Sequence, residues 1–327
     1  MHLSVVIPTY RGMRHLESCL PSVAASAEAA GLAHEVIVVD DASGDGTADW
    51  LRERWPAIRL IEQPANGGFA KAANAGMRAA AGEWIALVNN DVVLDAGWVG
   101  AAVGRAVPPD VGSIATRILQ QGRDDILYSA GDEYATAGVA IPWLRGRPTG
   151  DDDRRPECFS ACGAAGLFRR EALRRVGLLR ENLGAYYEDV DLGFRLNLAG
   201  YRCRYVPGAV SRHAGGATYG KNSWRMLYNS TRNRELVFWG NMPARLLARY
   251  GPAHAAAGAV QLAMGIFTAE ALPRAAGMAA AVGRAGQVLR MRREARALRE
   301  ISTRELRRRL CTKWLRPLLR SHVAWLT

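Results

Sequence analysis

Within the first hundred residues, four short apolar runs alternate with helical patterns, and this alternation constrains the fold more than any other feature. Ser4-Val5-Val6-Ile7 is stopped by Pro8, the run over 35–39 ends at Asp40-Asp41, the run over 58–61 is brief, and Trp84–Val88 ends in Asn89-Asn90-Asp91. Between them lie helical patterns over 15–27, over a segment that Thr47 is placed to cap, and over the Ala-rich stretch 69–80. Strand–helix alternation at this spacing predicts βαβ units and a mainly parallel sheet. The fourth run carries no polar residue, which suits a strand buried on both faces. Such a strand delivers the residues after it to the carboxyl edge of the sheet, where open α/β folds bind ligands. Asp91 is therefore expected at the lip of a cleft, although Asn-Asn-Asp also forms turns on its own account.

The first turn, Thr9-Tyr10-Arg11-Gly12, lacks the G-x-G-x-x-G pattern that lets backbone approach a dinucleotide pyrophosphate, which argues against a dinucleotide-binding domain. A carboxylate at Asp40 can accept from a base N–H or a ribose hydroxyl, and one at Asp91 can hold a divalent cation. Farther on, Glu188, Asp189 and Asp191 open a helix whose apolar positions Leu192, Leu196 and Ala199 share a face. Acids in a first turn are favoured by the helix dipole alone. Paired with Asp91, however, they match a displacement that needs a cation at one end and a base at the other.

Four segments carry a resemblance: V-V-I-P-T-Y-R, V-V-D-D-A-S-G-D-G-T, N-G-G-F-A-K-A-A-N-A-G and L-V-N-N-D. In this order and spacing they resemble the nucleotide-sugar half of inverting family-2 glycosyltransferases with the GT-A fold. The segment E-D-x-D-L-x-x-R-L-x-x-A-G-Y from Glu188, with a following Pro and His, resembles the acceptor half of the same family. The resemblance implies a metal-dependent transfer of sugar from a dTDP-, UDP- or GDP-linked donor, with Mg²⁺ or Mn²⁺ as cofactor. It implies donor contacts at Pro8, Thr9, Tyr10, Arg11, Asp40, Asn66, Lys71, Asn74, Asn90 and Asp91, with one of Lys71 and Asn74 free to serve only in capping or packing. Asp91 and His213 would hold the metal, Asp189 would be the general base and Glu188 its neighbour. Gly163, Asp191, Arg195 and Arg232 are expected on the acceptor or phosphate side, with Asp191 and Arg195 more suited to orienting the loop and helix. Tyr228, Arg232 and Asn233 form a Y-x-x-x-R-N segment similar to one that follows the catalytic domain in rhamnosyltransferase-like members, where Arg232 would reach a phosphate or act as a strut. That similarity points to a saccharide or lipid-linked saccharide acceptor and to cell-surface polysaccharide assembly. The chain departs from the family at Gly177-Leu178-Leu179-Arg180-Glu181, where relatives carry G-x-F-D-E, so Arg180 replaces an acid.

The expected organisation is a GT-A catalytic domain over 1–215, split into a nucleotide-sugar half (1–107) and an acceptor half (108–215), and a helical, basic region over 216–327. In the acceptor half, 111–118 reads as a strand, while Arg123-Asp124-Asp125 and the acidic run from Gly150 read as solvent-facing turns. From Arg284 to Arg320, thirteen Lys/Arg stand against three acids, a net of +10 out of +12 for the whole chain. A basic segment suits an anionic membrane surface or nucleic acid. Nucleic-acid binding is not expected, because only Trp314 and Trp325 accompany that charge. The longest uncharged run there, 255–268, is short of the ~20 residues that span a bilayer. No secretory leader is read at the start, and five scattered cysteines without a CxxC pair suit free thiols in a reducing compartment. The expected location is the cytoplasm, with peripheral association at the inner face of the cell membrane. Another nucleotide-dependent α/β enzyme, such as a nucleotidyltransferase, is the alternative, though the glycine- and basic-rich first loop of that class is missing.

Overall fold

A computed structural model of the chain describes residues 2–104, 106–150, 156–214 and 223–313. The first half runs β1 (His2–Thr9), α1 (Met13–Ala30), β2 (Ala33–Asp40), α2 (Thr47–Arg54), β3 (Arg59–Glu62), α3 (Phe69–Ala79), β4 (Trp84–Val88), β5 (Val92–Leu94) and α4 (Trp98–Val103). The second continues with β6 (Val111–Gln120), β7 (Arg123–Ser129), β8 (Asp132–Tyr134), β9 (Ala140–Pro142), β10 (Glu157–Cys158), β11 (Ala165–Arg169), α5 (Arg170–Val176), α6 (Glu188–Leu198) and β12 (Arg202–His213). Five helices follow: α7 (Trp224–Asn241), α8 (Ala244–Ile266), α9 (Ala271–Val282), α10 (Ala285–Leu298) and α11 (Thr303–Arg309).

One sheet joins both halves in the order β10-β12-β6-β11-β4-β1-β2-β3, with β5 on β12 and β7 on β6. The pairs β1–β2, β1–β4, β2–β3 and β6–β12 are parallel, whereas β11 enters antiparallel between β4 and β6. The alternation of side chains along β1 explains why such strands are apolar throughout. Leu3, Val5 and Ile7 pack with Leu16, Cys19, Leu20 and Val23 of α1 on one face. Val6 joins Ile37, Val39, Ile85 and Leu87 against Ala70, Ala73 and Met77 of α3 on the other. A strand covered on both faces leaves solvent access only at its ends, so the polar residues after β1, β2 and β4 are driven to one edge.

Of the helical patterns of the first half, α1 is wider than the expected 15–27, and α3 ends one residue short of the expected 69–80. Thr47 does not cap α2: Gly46, at φ 84°, holds the cap position, and Asp45 Oδ1 accepts from Thr47 N at 3.1 Å and from its hydroxyl at 2.5 Å. Residues 123–125 are exposed but open strand β7 instead of a turn, because β7 pairs antiparallel with β6 from Arg123 onward, and Arg212 of β12 binds Asp124. The acidic run at 151–153 lies outside the described residues. All five cysteines are free thiols.

Candidate functional site

The donor-side candidates gather at the carboxyl ends of β1, β2 and β4. Thr9 and Asp40 are register partners at the ends of β1 and β2, both buried, and Pro8 precedes Thr9 in the same strand. Thr9 Oγ1 accepts from Asn90 Nδ2 at 2.8 Å, which ties the turn after β4 to β1. Gly12 lies against that bond: a Cβ there would meet Asn90 Nδ2 at 2.0 Å and Thr9 Oγ1 at 2.7 Å, so a larger residue would have to displace the Asn90 amide from Thr9. Tyr10 is exposed, and Arg11, at φ 50°, lies over its ring and donates from its backbone to Ser43 Oγ at 2.8 Å. The Ser43 hydroxyl donates in turn to Asp40, so that carboxylate also orders its own loop. The neighbouring Asp41, which sequence reasoning passes over, accepts from Gly67 N at 2.9 Å and Gly68 N at 2.8 Å and fixes the loop that carries Asn66. Lys71 and Asn66 are exposed. Asn74 is buried, donates to Leu179 O at 2.8 Å and Glu181 Oε1 at 3.0 Å, and accepts from Leu179 N at 3.0 Å. Its amide is therefore committed to packing α3 against the loop at 179–181.

Asp91 and His213 meet because β12 closes on β5, where His213 and Val92 are register partners. His213 Nε2 stands 3.0 Å from Asp91 Oδ1, and both side chains are only 7% exposed, so this is no surface histidine. Burial alone would raise the Asp91 pKa, but the hydrogen bond and charge of His213, helped by His15, hold it below the usual carboxylate range. His213 Nδ1 is buried without a hydrogen-bond partner, and its ring lies edge-on to Tyr128 at 4.5 Å between centroids. The nitrogen that faces Asp91 is Nε2, so a divalent cation shared by the two side chains would take the place of their hydrogen bond. Among the described residues no group of three metal-ligating side chains occurs. Any further ligands would have to come from outside these side chains.

The acceptor-side acids sit in the first turn of α6. Asp189 is half-buried and its Oδ2 accepts from Gly163 N at 2.8 Å, while Oδ1 accepts from Val190 N at 2.8 Å. A Cβ on Gly163 would press on Asp189 Oδ2 at 3.3 Å. Burial outweighs those two donors and raises the Asp189 pKa. Glu188 is buried, its Oε2 has no hydrogen-bond partner, and burial together with the Asp189 charge pushes its pKa well up. Two adjacent carboxyls thus differ in kind: Asp189 has donors for its charged form, and Glu188 favours its neutral one. Asp132 in β8, absent from the sequence-based set, is the third member. It is buried, and burial plus the Asp189 charge pushes its pKa well up, against the opposing charge of Arg145. Arg145 lies 4.5 Å over the Tyr128 ring, so Tyr128 and Arg145 link the His213 side of the site to the Asp132 side.

The remaining predicted residues hold this arrangement in place. Asp191 is fully buried, accepts from Arg195 Nε at 2.8 Å and Asn241 Nδ2 at 2.8 Å, and pairs with Arg180. Although burial opposes it, the charges of Arg195 and Arg180 keep the Asp191 pKa low. Arg195 donates its other hydrogens to Val176 O, Gly177 O and Leu178 O. Arg180, the departure from the family pattern, turns inward to Asp191 and to Glu294 of α10 at 2.5 Å. Arg232 Nη2 donates to Leu183 O at 2.9 Å, and Asn233 Nδ2 lies at 2.9 Å from Leu183 O, 3.1 Å from Ala185 O and 2.7 Å from Tyr186 O. These carbonyls belong to the loop that enters α6, where Tyr186 and Tyr187 stand at φ 72° and 69°. Bulky residues rarely hold positive φ, and such strain persists only where the surroundings over-determine it. Arg232 also lines a cleft of about 350 Å³ with Asn66, Gly68, Asn182, Arg225 and Asn229.

Comparison with known proteins gives the arrangement a family. Residues 4–177 match the model described as glycosyl transferase family 2, and residues 152–325 match that of glycosyl transferase family group 2. The N-acetylglucosaminyl-diphospho-decaprenol L-rhamnosyltransferase of Mycobacterium tuberculosis is 31% identical over 237 residues, covering 64% of this chain and 75% of the relative. The pre-mycofactocin glycosyltransferase of the same organism is 29% identical over 222 residues, covering 64% and 42%. Among solved structures, the mannosyltransferase PcManGT from Pyrobaculum calidifontis in complex with GDP-Man and Mn²⁺ superposes with a TM-score of 0.57 at 21% identity, covering 98% of this chain and 86% of that one. GalNAc-T7 with UDP, GalNAc and Mn²⁺ gives 0.54 at 16% identity, covering 73% and 50%. The chain belongs to glycosyl transferase family 2 and has its GT-A fold.

Proposed function

We propose that the chain is an inverting, metal-dependent glycosyltransferase that moves a sugar from a nucleotide-diphosphate donor to a hydroxyl of a saccharide or lipid-linked saccharide. The observation that carries this reading is the contrast at the start of α6, where Asp189 has two backbone donors for its charge beside a neutral-favouring Glu188. Such a carboxylate, with a raised pKa, is suited to take a proton from a sugar hydroxyl as that oxygen attacks the anomeric carbon in line, opposite the leaving diphosphate. Burial and the Asp189 charge favour the protonated forms of Glu188 and Asp132, which leaves Asp189, with its two backbone donors, as the carboxylate best suited to act as the base. Asp91 and His213 would hold Mg²⁺ or Mn²⁺, which when bound offsets the charge growing on the leaving nucleotide.

The donor base and ribose are assigned to the pocket edge formed by Thr9, Tyr10, Arg11 and Asp40, with Asn66, Lys71 and Asn90 along the nucleotide and Pro8 and Asn74 shaping the frame. Gly163 positions Asp189; Asp191 and Arg195 position α6. Arg232, lining the cleft beside Asn66, is assigned to steadying the loop before α6. The catalytic domain is taken as 1–215 and the helical basic region as 216–327. A rhamnosyl or related donor and a lipid-linked acceptor are supported by the name of the mycobacterial relative, and cell-surface polysaccharide assembly follows from that class of acceptor. No helix among the described residues is long and apolar enough to cross a membrane. The basic stretch from Arg284 is assigned to an anionic membrane surface.

A panel of dTDP-, UDP- and GDP-linked sugars tests the reading by thermal shift and by transfer to lipid-linked saccharides. One nucleotide class should stabilise the protein only with Mn²⁺ or Mg²⁺ present, and the product should carry the inverted anomer. Retention of configuration would exclude the inverting mechanism, and the absence of any sugar-nucleotide effect would exclude the function.

A further inference from the structure

The exposed large apolar side chains are concentrated in one part of the molecule. Apart from Tyr10, those among the described residues are Trp224, Trp239, Ile266, Phe267, Leu272, Val282 and Leu289, all on α7–α10 or the turn between α8 and α9. Phe267 is 91% exposed and Val282 79%, values that a packed globular surface does not need. The pattern on α9 is the reverse of an ordinary surface helix. Its exposed positions Leu272, Ala275, Ala279 and Val282 recur at helical spacing and contain no polar residue. The preceding helix behaves alike: beyond Arg249, the exposed positions of α8 are Pro252, Ala255, Ala256, Ala259, Ala263 and Ile266. The two charged residues near this face, Glu270 and Arg274, pair with each other at 2.7 Å and are largely buried.

Charge returns abruptly on the next helix. In α10 the exposed Leu289 is followed by exposed Arg290, Arg293 and Arg296, and among the described residues none of these three forms an ion pair. An apolar face on α8 and α9, followed in the chain by the exposed arginines of α10, matches the layered chemistry of an anionic bilayer surface, acyl chains below and phosphate headgroups above.

We propose that the outward face of α8 and α9, led by Ile266, Phe267 and Leu272, inserts shallowly into an anionic lipid surface, with Arg290, Arg293 and Arg296 meeting its headgroups. This deepens the assignment of the basic region given above by moving the primary contact from the arginines to the apolar α8–α9 face. The helices lie on the membrane and do not span it, in keeping with the want of any crossing helix among the described residues. A transferase acting on a lipid-linked acceptor gains from this docking, because the acceptor's diffusion is confined to the same surface.

Co-sedimentation of the full chain with vesicles of phosphatidylcholine alone, or of phosphatidylcholine with phosphatidylglycerol, tests the proposal without donor or acceptor. The expected result is binding to the anionic vesicles, weakened roughly ten-fold or more by Phe267→Glu combined with Leu272→Glu. Replacing Arg290, Arg293 and Arg296 by Ser should also weaken binding and remove most of its salt dependence. Both variants should keep the wild-type melting temperature and sugar-nucleotide binding, so a failed transferase reading would show separately, as absent nucleotide binding by the wild type. Vesicle binding unchanged in the Phe267/Leu272 variant would overturn the proposal. So would a wild-type chain that stays in the supernatant, or one that forms a dimer broken by those substitutions, which would assign the face to a second copy.

Discussion

Replacing Asn233 by Ala removes one buried amide that serves three carbonyls, those of Leu183, Ala185 and Tyr186. A net hydrogen bond contributes about 1 kcal/mol, and a carbonyl left unsatisfied costs about 1–3 kcal/mol, so the loss should be about 2–4 kcal/mol once water reaches part of the loop. The two tyrosines at positive φ store on the order of 1–3 kcal/mol each. Clamp and strain are therefore of the same size, and without the clamp the loop has reason to relax. Asp189 follows Tyr187 by two residues, and a displacement of about 1 Å at a reacting group costs on the order of 100-fold in rate. Asn233→Ala should lower kcat for transfer by about that factor and Tm by roughly 3–6 °C, with nucleotide-sugar affinity unchanged because Asp91 and His213 are held by other strands. Asn233→Asp, which cannot donate when ionised, should behave alike. Tyr186→Gly introduced into Asn233→Ala relieves the strain at Tyr186 and should recover part of the stability. Steady-state transfer kinetics with calorimetric unfolding decides the matter. A Tm loss of the expected size with kcat within about three-fold of wild type, far from the ~100-fold of a misplaced base, would show that the contact stabilises the fold without positioning Asp189.

Other outcomes rest on the same geometry. Because burial raises the Asp189 pKa, kcat should fall with decreasing pH through a midpoint above the ~4 of an ordinary carboxyl; a midpoint at or below that value, read from the pH–rate profile, would contradict the assignment. Glu188 has its folded pKa raised above its unfolded one, so its contribution to stability is fully present below the unfolded pKa and is lost as pH rises through the folded pKa. Glu188→Gln should accordingly gain Tm relative to wild type as pH rises, and parallel Tm-versus-pH curves would remove Glu188 as the source. Asp91→Ala should weaken donor binding in Mn²⁺ at least ten-fold, as should chelation of the wild type, and the two effects should not add in titration calorimetry.

The parts of the site that can be read from sequence are those written in contiguous residues. Trp84–Val88 followed by Asn89-Asn90-Asp91 announces a buried strand and a polar lip, and β4 is buried along its whole length with Asp91 at its end. The E-D pair and the helix behind it lie where the pattern implies, in the first turn of α6. Position 213 carries a weaker signal, because nothing local reveals that β12 runs beside β5 and brings a histidine onto Asp91; that pairing spans 122 residues. Asp132 is illegible for a similar reason. It sits in a three-residue strand, too short to show a period, and its importance comes from the approach of Asp189 and Arg145. Arg232 and Asn233 are visible as a motif, yet their hydrogen bonds turn toward the loop before α6, a choice fixed by the packing of α7 on α6. Thr47 fails as a cap since Asp45, two residues earlier, offers a better acceptor in the same turn.

If Asp189 takes the acceptor proton while a separate site holds the donor, the two functions can be parted by one substitution. Asp189→Asn keeps the shape of the side chain and removes the base. Donor binding in the presence of Mn²⁺ should then equal wild type, with transfer reduced about 10²–10⁴-fold at neutral pH. An Asp189→Asn protein that binds donor normally and still transfers sugar at close to the wild-type rate would contradict the assignment of Asp189 as the base.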